Sequence, residues 1–171
     1  MDIISASEKH LERVCRLCRS CSAHMFSNQI DQWDEIYPDR KVFLDDIRSE
    51  SLYLVLDDGS GEAIACIVIN EEQDPEYKEV SWQYERERIA VIHRLMVHPQ
   101  YEGRGIARQM IRYVEELAQS RKYEAIRLDV FEKNPKAVSF YHQLGYQIAG
   151  KVRFRKGEFL CCEKLLQVHY A

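Results

Sequence analysis

The segment HPQYEGRGIARQMIRYVEELA (His98–Ala118) places two glycines, Gly103 and Gly105, between an apolar run and a helix-like pattern. A tight turn needs only one glycine, so the second indicates that another molecule approaches the bare backbone closely. The first N–H groups of a helix lack internal partners, and the helix dipole favours negative charge beside them. Together with Arg104 and Arg108, the pattern predicts a phosphate site at the start of a helix.

An ordinary tight connection between a strand and a helix would also account for the two glycines. Two familiar phosphate motifs do not fit the stretch. The P-loop pattern GxxxxGK(S/T) is missing, which argues against a P-loop nucleotide hydrolase. Arg108 stands where the dinucleotide fingerprint GxGxxG has its third glycine, which argues against a Rossmann domain.

The patterns on either side of the glycines predict an α/β domain. IAVIHRLMV (Ile89–Val97) and AIRLDV (Ala125–Val130) read as strands, and the long helix between them indicates a parallel crossover. LYLVL and EAIACIVIN, joined by the turn DDGSG, read as an antiparallel hairpin, and YQIAGKVRF and EFLCCEKLL read as two further strands. We predict one domain over residues 1–171, with a twisted, mostly antiparallel mixed sheet, a central parallel crossover and about four helices.

Five other elements complete this prediction. They are a short strand at Ile3–Ala6, a helix over Glu8–Ser22 with Ser7 as N-cap, a short helix after Pro38, a candidate strand at Val80–Gln83, and a helix that starts at Asn134 or Pro135 and stops at Gly145.

Composition excludes several classes of protein. The 46% hydrophobic content is enough to bury a core, whereas no apolar stretch approaches the roughly 20 residues of a membrane span. A net charge of −4 argues against a nucleic-acid surface, which normally carries a clustered basic face. The N-terminus MDIISASEKH lacks a basic region followed by an apolar one, so we expect no secretory signal and a cytoplasmic location.

Three of the six cysteines are spaced three apart in RVCRLCRSC, which resembles an iron–sulfur run without its fourth cysteine and trailing proline. Cys15, Cys18 and Cys21 fall at helical spacing with Leu11 and Val14, so we predict that they pack in the core and that the chain has no metal site.

IHRLMVHPQYEGRGIARQMI, followed by IRLDVFEKNPKAVSFYHQLGYQIAG, resembles the GNAT superfamily of N-acetyltransferases. The shared features are a strand, an Arg/Gln-x-x-Gly-x-Gly/Ala turn, a long helix, a strand, and then Asn, Ala, Phe-Tyr and Leu-Gly-Tyr in that order. IDQWDEIYP is in addition similar to poorly characterised bacterial members. The resemblance covers about Ile89 to Gly150, and the predicted strand order extends it to the whole chain.

The resemblance implies acetyl-CoA as co-substrate. The backbone of Leu95, Met96 and Val97 would pair with the pantetheine arm, and Asn134 would touch that arm. Glu102 departs from the family, which usually has Arg or Gln there, and we expect it to turn outward because the main phosphate contacts come from backbone N–H groups. Those contacts would come from the turn and the first helical residues, namely Gly103, Arg104, Gly105, Ile106, Ala107 and Arg108.

The implied reaction transfers an acetyl group to a primary amine of a small molecule or peptide by direct attack on the thioester. Tyr141 matches the family tyrosine that protonates the departing thiolate. His93 resembles the base of serotonin N-acetyltransferase, and strand alternation would put it on one face with Leu95 and Val97. Glu85, Glu87 or a water relay are rivals for the base.

The acceptor amine is not specified by the sequence. Trp33, Tyr37 and Tyr84, together with Trp82, would line a cleft or belong to the core. Glu71–Arg88 holds seven acids and three bases, which favours a solvated acidic loop over a cation site.

Two other functions stay open. One is a non-catalytic CoA-binding regulatory module. The other is a protein–protein adaptor, which would require an empty glycine turn. The oligomeric state is open as well, with a homodimer as the commonest soluble oligomer.

Overall fold

The computed structural model describes residues 1–167. This part of the chain contains four α-helices and seven strands. In chain order they are β1 (Ile4–Ser5), α1 (Leu11–Ser27), α2 (Arg40–Arg48), β2 (Leu52–Leu56), β3 (Ala63–Asn70), β4 (Ile89–Val97), α3 (Ile106–Ser120), β5 (Ala125–Phe131), α4 (Pro135–Gln143), β6 (Gln147–Phe154) and β7 (Gly157–Leu165).

The seven strands form one mixed sheet in the order β1-β2-β3-β4-β5-β7-β6. The β1–β2, β2–β3, β5–β7 and β6–β7 pairs are antiparallel, whereas β4 and β5 are parallel. Helix α3 supplies the crossover between the two parallel strands, as such a pair requires. The predicted fold class, a mostly antiparallel mixed sheet with one parallel crossover, is confirmed.

The chain divides into two compact units, each made of two segments. The first unit holds Met1–Ile69 and Arg94–Tyr113, and the second holds Asn70–His93 and the described residues from Val114 onward. That residues 1–171 make up one domain stays a prediction.

The core of the first unit forms where α1 and α2 cover one face of β2 and β3. Leu11, Val14 and Leu17 recur at helical spacing along α1, and all three are buried. Helix α2 is capped by Asp39, whose Oδ1 accepts from the Val42 N–H at 2.9 Å. The remaining core residues include Phe43, Ile47, Leu52, Leu54, Cys66, Val68 and Met96.

All six cysteines are free and buried, so the packing prediction for Cys15, Cys18 and Cys21 is confirmed. Burial raises the pKa of the Cys21 thiol to about 12 and that of Cys162 to about 11. Within residues 1–167 no group of three His, Cys, Asp or Glu side chains could hold a metal ion. No helix of that range is long and apolar enough to cross a membrane.

The predicted strand at Val80–Gln83 is wrong. A 3-10 turn occupies Pro75–Glu79, and the residues after it are irregular. The backbone N–H of Gln83 donates to Glu163 Oε1 at 2.6 Å, so this part of the segment pairs with a buried carboxylate and not with a strand. The predicted first helix also differs, because a 3-10 turn at Glu8–His10 precedes α1 and the helix continues past Ser22.

Candidate active site

The glycine turn lies between a 3-10 turn at Pro99–Tyr101 and helix α3, which begins at Ile106. Gly103 and Gly105 have φ angles of +74° and +77°, in the left-handed region that side chains disfavour. A Cβ built on either glycine would meet no atom within 4 Å. The backbone conformation therefore favours glycine at both positions, and the space beside them is open to a ligand.

The amide groups at the start of α3 are oriented for an anion. The first backbone hydrogen bond of the helix runs from the Gln109 N–H to the Gly105 carbonyl, at 3.1 Å. The N–H groups of Ile106, Ala107 and Arg108 precede it, so they have no partner inside the helix. An anion at this position would accept from them and would interact favourably with the helix dipole. The turn thus fits the diphosphate of a CoA-type ligand.

Two arginines add positive charge to the turn. The Nη2 of Arg104 donates to the Gln100 carbonyl at 3.1 Å, and its guanidinium lies 4.8 Å from the centre of the Tyr101 ring. Arg108 is exposed, and no hydrogen bond or ion pair joins it to another side chain in the described part of the molecule. Both cations are therefore at the surface, where they can meet a phosphate.

Glu102 is the one acidic residue of the turn. Its Oε1 lies 3.9 Å from Nε2 of His24, in the last turn of α1. The carboxylate therefore faces α1, and it has a cationic partner whenever His24 is protonated.

The extended backbone of strand β4 is interrupted at Arg94, whose φ of +49° is left-handed. Parallel pairing with β5 covers Ile89–Val91 on the β4 side within the described residues. Beyond Arg94, Leu95 and Val97 are half-buried, whereas Met96 belongs to the core of the first unit. That His93, Leu95 and Val97 share one face of the strand stays a prediction.

Tyr141 lies in α4 and is 9% exposed. Burial, together with the nearby Asp129 and Cys162, raises the pKa of its phenol well above the usual range. Its ring packs edge-on against Tyr146 at 5.8 Å between centroids. No residue that the structure describes accepts a hydrogen bond from its hydroxyl. The group is thus protonated, and its hydrogen-bonding capacity is not used by the fold.

Asn134 is the N-cap of α4, where its Oδ1 accepts from the Ala137 N–H at 3.2 Å. The cap uses the carbonyl oxygen of the side chain. The Nδ2 amide is the group that remains to meet a ligand.

His93 is half-buried, and its Nε2 lies 3.0 Å from Oδ1 of Asn70. A carbonyl oxygen only accepts, so Nε2 is the donor in this contact.

The candidate acceptor-site aromatics have different surroundings. Trp33 packs against the core of the first unit. Tyr37 is 41% exposed, and its hydroxyl accepts from Arg94 Nη1 at 2.7 Å. Tyr84 is held by its backbone, since its N–H donates to Glu163 Oε2 at 3.2 Å and its carbonyl accepts from Arg127 Nη2 at 3.1 Å. The structure thus ties Tyr37 and Tyr84 to buried charged residues.

Three charged side chains on the strands were missed by the sequence analysis. Arg94 forms a buried ion pair with Asp46, and Glu163 and Arg127 are 1% and 8% exposed. The available signal was the presence of charged residues inside apolar strand runs, in IHRLMV, AIRLDV and FLCCEKL. Such a residue must find a polar partner when it is buried.

The segment between β3 and β4 contacts the rest of the second unit at several points. Tyr77 is 2% exposed and donates to Asp129 Oδ2 at 2.7 Å, and the Trp82 ring lies 4.2 Å from the Arg127 guanidinium. Glu85 and Glu87 are exposed. The prediction of a solvated loop therefore fits the acidic residues Glu85 and Glu87, but it does not fit the aromatic residues of the segment.

Comparison with known proteins agrees with this geometry. The model of the acetyltransferase (GNAT) family matches residues 17–146. A GNAT-family acetyltransferase from Streptococcus agalactiae superposes with a TM-score of 0.83 at 24% identity, over 97% of this chain and 95% of that one. The ribosomal-protein-S18-alanine N-acetyltransferase of Escherichia coli superposes with a TM-score of 0.68 at 16% identity, over 99% of this chain and 95% of that one.

Among curated proteins, the spermine/spermidine N(1)-acetyltransferase of Bacillus subtilis is 30% identical over 73 residues, which are 42% of this chain and 47% of that relative. The chain spans less than half the length of the curated relatives it matches. The family match covers most of the chain and includes the glycine turn, β5 and α4. The chain therefore belongs to the GNAT family.

Proposed function

We propose that the protein transfers the acetyl group of acetyl-CoA to a primary amine of a small molecule or peptide by direct attack of the amine on the thioester. The glycine turn carries this proposal. Gly103 and Gly105 leave open space beside unpaired helix N–H groups, which is what the diphosphate of CoA requires. When bound, acetyl-CoA supplies the activated acyl group.

The second half of β4 is the proposed partner of the pantetheine arm. Parallel pairing of β4 with β5 covers only Ile89–Val91 of the described residues, so the later residues of β4 do not form regular pairs with β5. An extended arm can add to the backbone of Leu95, Met96 and Val97 as an extra strand would. The Nδ2 of Asn134 is the proposed side-chain donor to the same arm.

Tyr141 is the proposed acid. Its environment keeps the phenol protonated, and protonation of the departing sulfur would favour breakage of the carbon–sulfur bond. The same raised pKa makes full proton transfer to a thiolate unfavourable, because a thiol is the stronger acid even at ordinary pKa values. We therefore expect the hydroxyl to donate a hydrogen bond to the sulfur, with the proton moving only as charge develops there.

His93 is the proposed base. An alkylammonium has a pKa near 10, so most of the acceptor is protonated at neutral pH and must lose a proton before attack. The 3.0 Å contact of its Nε2 with Oδ1 of Asn70 supports the proposal, because it orients the imidazole ring. Glu85, Glu87 and a water relay are the competing routes for this proton.

The relatives suggest two kinds of acceptor to test. One is named for spermine and spermidine, and another for the alanine of a ribosomal protein. The panel should accordingly contain spermidine and a short peptide that begins with alanine. Tyramine is added as a small amine that belongs to neither kind. Transfer is measured as thiol release, and acetyl-CoA binding is measured separately by calorimetry.

Binding together with thiol release from at least one acceptor would support the proposal. Binding without release would favour the non-catalytic CoA-binding module. Absence of binding would overturn both, since saturation at 100 times Kd raises the free energy of unfolding by about 2.7 kcal/mol and is easily detected as a shift in Tm.

A further inference from the structure

Arg94 adopts a backbone conformation that its side chain makes costly. Its φ of +49° lies in the left-handed region, inside the strand Ile89–Val97. Glycine would adopt this conformation without strain, yet the sequence has an arginine. Strain of this kind persists only where surrounding contacts fix it, and it concentrates at functional sites.

The guanidinium of Arg94 makes three hydrogen bonds to two residues. Its Nε and Nη2 donate to the two carboxylate oxygens of Asp46 on α2, at 2.8 and 2.6 Å, and the two side chains are 8% and 7% exposed. Its Nη1 donates to the Tyr37 hydroxyl at 2.7 Å. This forked geometry is specific to arginine, because an ammonium group cannot bond both carboxylate oxygens and a third acceptor in one plane.

Core packing does not explain the contact with Tyr37. The Tyr37 residue is 41% exposed, so little of it is buried by the arrangement. Its backbone is fixed as well, since Asp34 Oδ1 accepts from the N–H groups of Ile36 and Tyr37 at 3.0 and 3.2 Å. Both the ring and the turn that carries it are therefore held in one position while remaining accessible to solvent.

The location of Arg94 connects this arrangement with catalysis. Arg94 is followed directly by Leu95, the first residue of the run proposed to pair with the pantetheine arm. The Tyr37 hydroxyl is hydrogen-bonded to the Arg94 guanidinium. It is therefore separated from that run by no more than the length of an arginine side chain. An amine that reaches the thioester along this side of β4 would meet the exposed Tyr37.

We propose that Arg94 is a positioning residue, which is anchored by Asp46 and holds Tyr37 as a wall of the acceptor site. The inference rests on the proposed acetyl transfer. It assigns Tyr37 to acceptor binding, and it assigns to Arg94 the alignment of both Tyr37 and the neighbouring strand.

The test compares Tyr37→Phe, Arg94→Lys, the double variant and a control, Asp45→Asn. Asp45 is the neighbour of Asp46 on α2, but it is exposed and pairs with Lys41. For each protein, kcat and the KM of the best acceptor in the panel are measured, with the Kd of acetyl-CoA and Tm. Tyr37→Phe keeps the ring and should fold even if Arg94→Lys does not.

The expected result is a three- to tenfold higher acceptor KM for Tyr37→Phe, with the Kd of acetyl-CoA within twofold of the parent. Arg94→Lys should raise the acceptor KM at least tenfold and lower kcat, because the strand beside it is also released. The double variant should be no worse than Arg94→Lys, since Arg94 acts on the acceptor through Tyr37 and its replacement already releases that residue. Asp45→Asn should match the parent.

An active parent whose acceptor KM is unchanged by Tyr37→Phe would overturn the positioning role and leave acetyl transfer intact. A fall in Tm without a change in KM would do the same, because it would make the contact purely structural. A parent that releases no thiol with any acceptor would overturn the proposed function and this inference together.

Discussion

The hydroxyl of Tyr101 donates a 2.9 Å hydrogen bond to Oδ1 of Asp57, and thereby ties the turn before the glycines to the turn between β2 and β3. The other oxygen of Asp57 accepts from the backbone N–H and the hydroxyl of Ser60 at 2.8 and 2.9 Å. These bonds favour the carboxylate, and together they lower the pKa of Asp57 from 3.8 to about 2.

Because the folded pKa of Asp57 is depressed, its stabilisation is present above about pH 4 and is lost as the pH falls toward 2. Asp57→Asn should remove this part of the pH dependence. The Tm of the parent should therefore fall further between pH 5 and pH 2.5 than the Tm of the variant. Asp58→Asn, in the same turn, is the control, and equal slopes for parent and Asp57→Asn would contradict the assignment.

Gly105→Val should weaken acetyl-CoA binding at least tenfold in a calorimetric titration. The new side chain would fill the open space beside the helix N-terminus and would strain a left-handed residue. Gly61→Val separates the strain from the filling of the space, because Gly61 has a similar φ of +69° but lies outside the turn that contains Gly103 and Gly105. It should lower Tm and leave the affinity unchanged. Equal affinity for Gly105→Val and the parent would remove the turn from the site.

Glu102→Gln should bind acetyl-CoA about two- to fivefold more tightly than the parent, because it removes a negative charge from the turn proposed to bind the phosphates. The gain should shrink as salt is raised from 0.05 to 0.5 M, since mobile ions screen exposed charges. Glu12→Gln, an exposed acid of α1 that pairs with Arg40, should change nothing. A salt-independent gain would point to a steric cause.

Tyr141→Phe should lower kcat by about 10²-fold, at the lower end of general acid assistance. Tm and acetyl-CoA affinity should stay near those of the parent, because no described residue bonds the hydroxyl. Tyr146→Phe is the matched control. It removes a 2.9 Å hydrogen bond to Glu115, so it should cost about 1 kcal/mol of stability and little activity. A loss of only a few-fold for Tyr141→Phe would mean that the hydroxyl orients the thioester, and a fall in Tm alone would assign it to the core.

His93→Ala should lower kcat/KM about 10²-fold at pH 7 and abolish the acidic limb of the pH–rate profile, because that limb reports protonation of the base. Acetyl-CoA affinity should be unchanged. His142→Ala, at an exposed histidine of α4, serves as the control. A profile identical to that of the parent would move the role of base to Glu85, Glu87 or water.

The sequence predicted most strands well, because a run of apolar residues within a short segment is enough to indicate a buried strand. The dense apolar runs at Leu52–Leu56 and Ile89–Val97 match their strands to the residue. The start of α4 at Pro135 and its stop before Gly145, which has a φ of +87°, follow equally from residue type.

Contacts between distant parts of the chain were not predictable in this way. Val80–Gln83 alternates like a strand, but the Gln83 N–H donates to Glu163, eighty residues later, and the N–H groups of Val80 and Trp82 donate to carbonyls nearby in the chain. The side chain of the left-handed Arg94 is anchored by Asp46, and the ring of His93 contacts the side chain of Asn70. The residue types of the candidate site were thus visible in the sequence, whereas the groups that orient them were not.

The burial of all six cysteines has a chemical consequence for an enzyme of this family. Thioesters acylate thiolates as readily as they acylate amines, so an exposed, ionised cysteine would compete with the intended acceptor and leave the protein modifying itself. Burial raises the pKa of each of these thiols, which keeps them in the unreactive protonated form at neutral pH. In the proposed acetyl transfer, the packing of small sulfur-containing side chains would therefore also protect the protein from self-acylation.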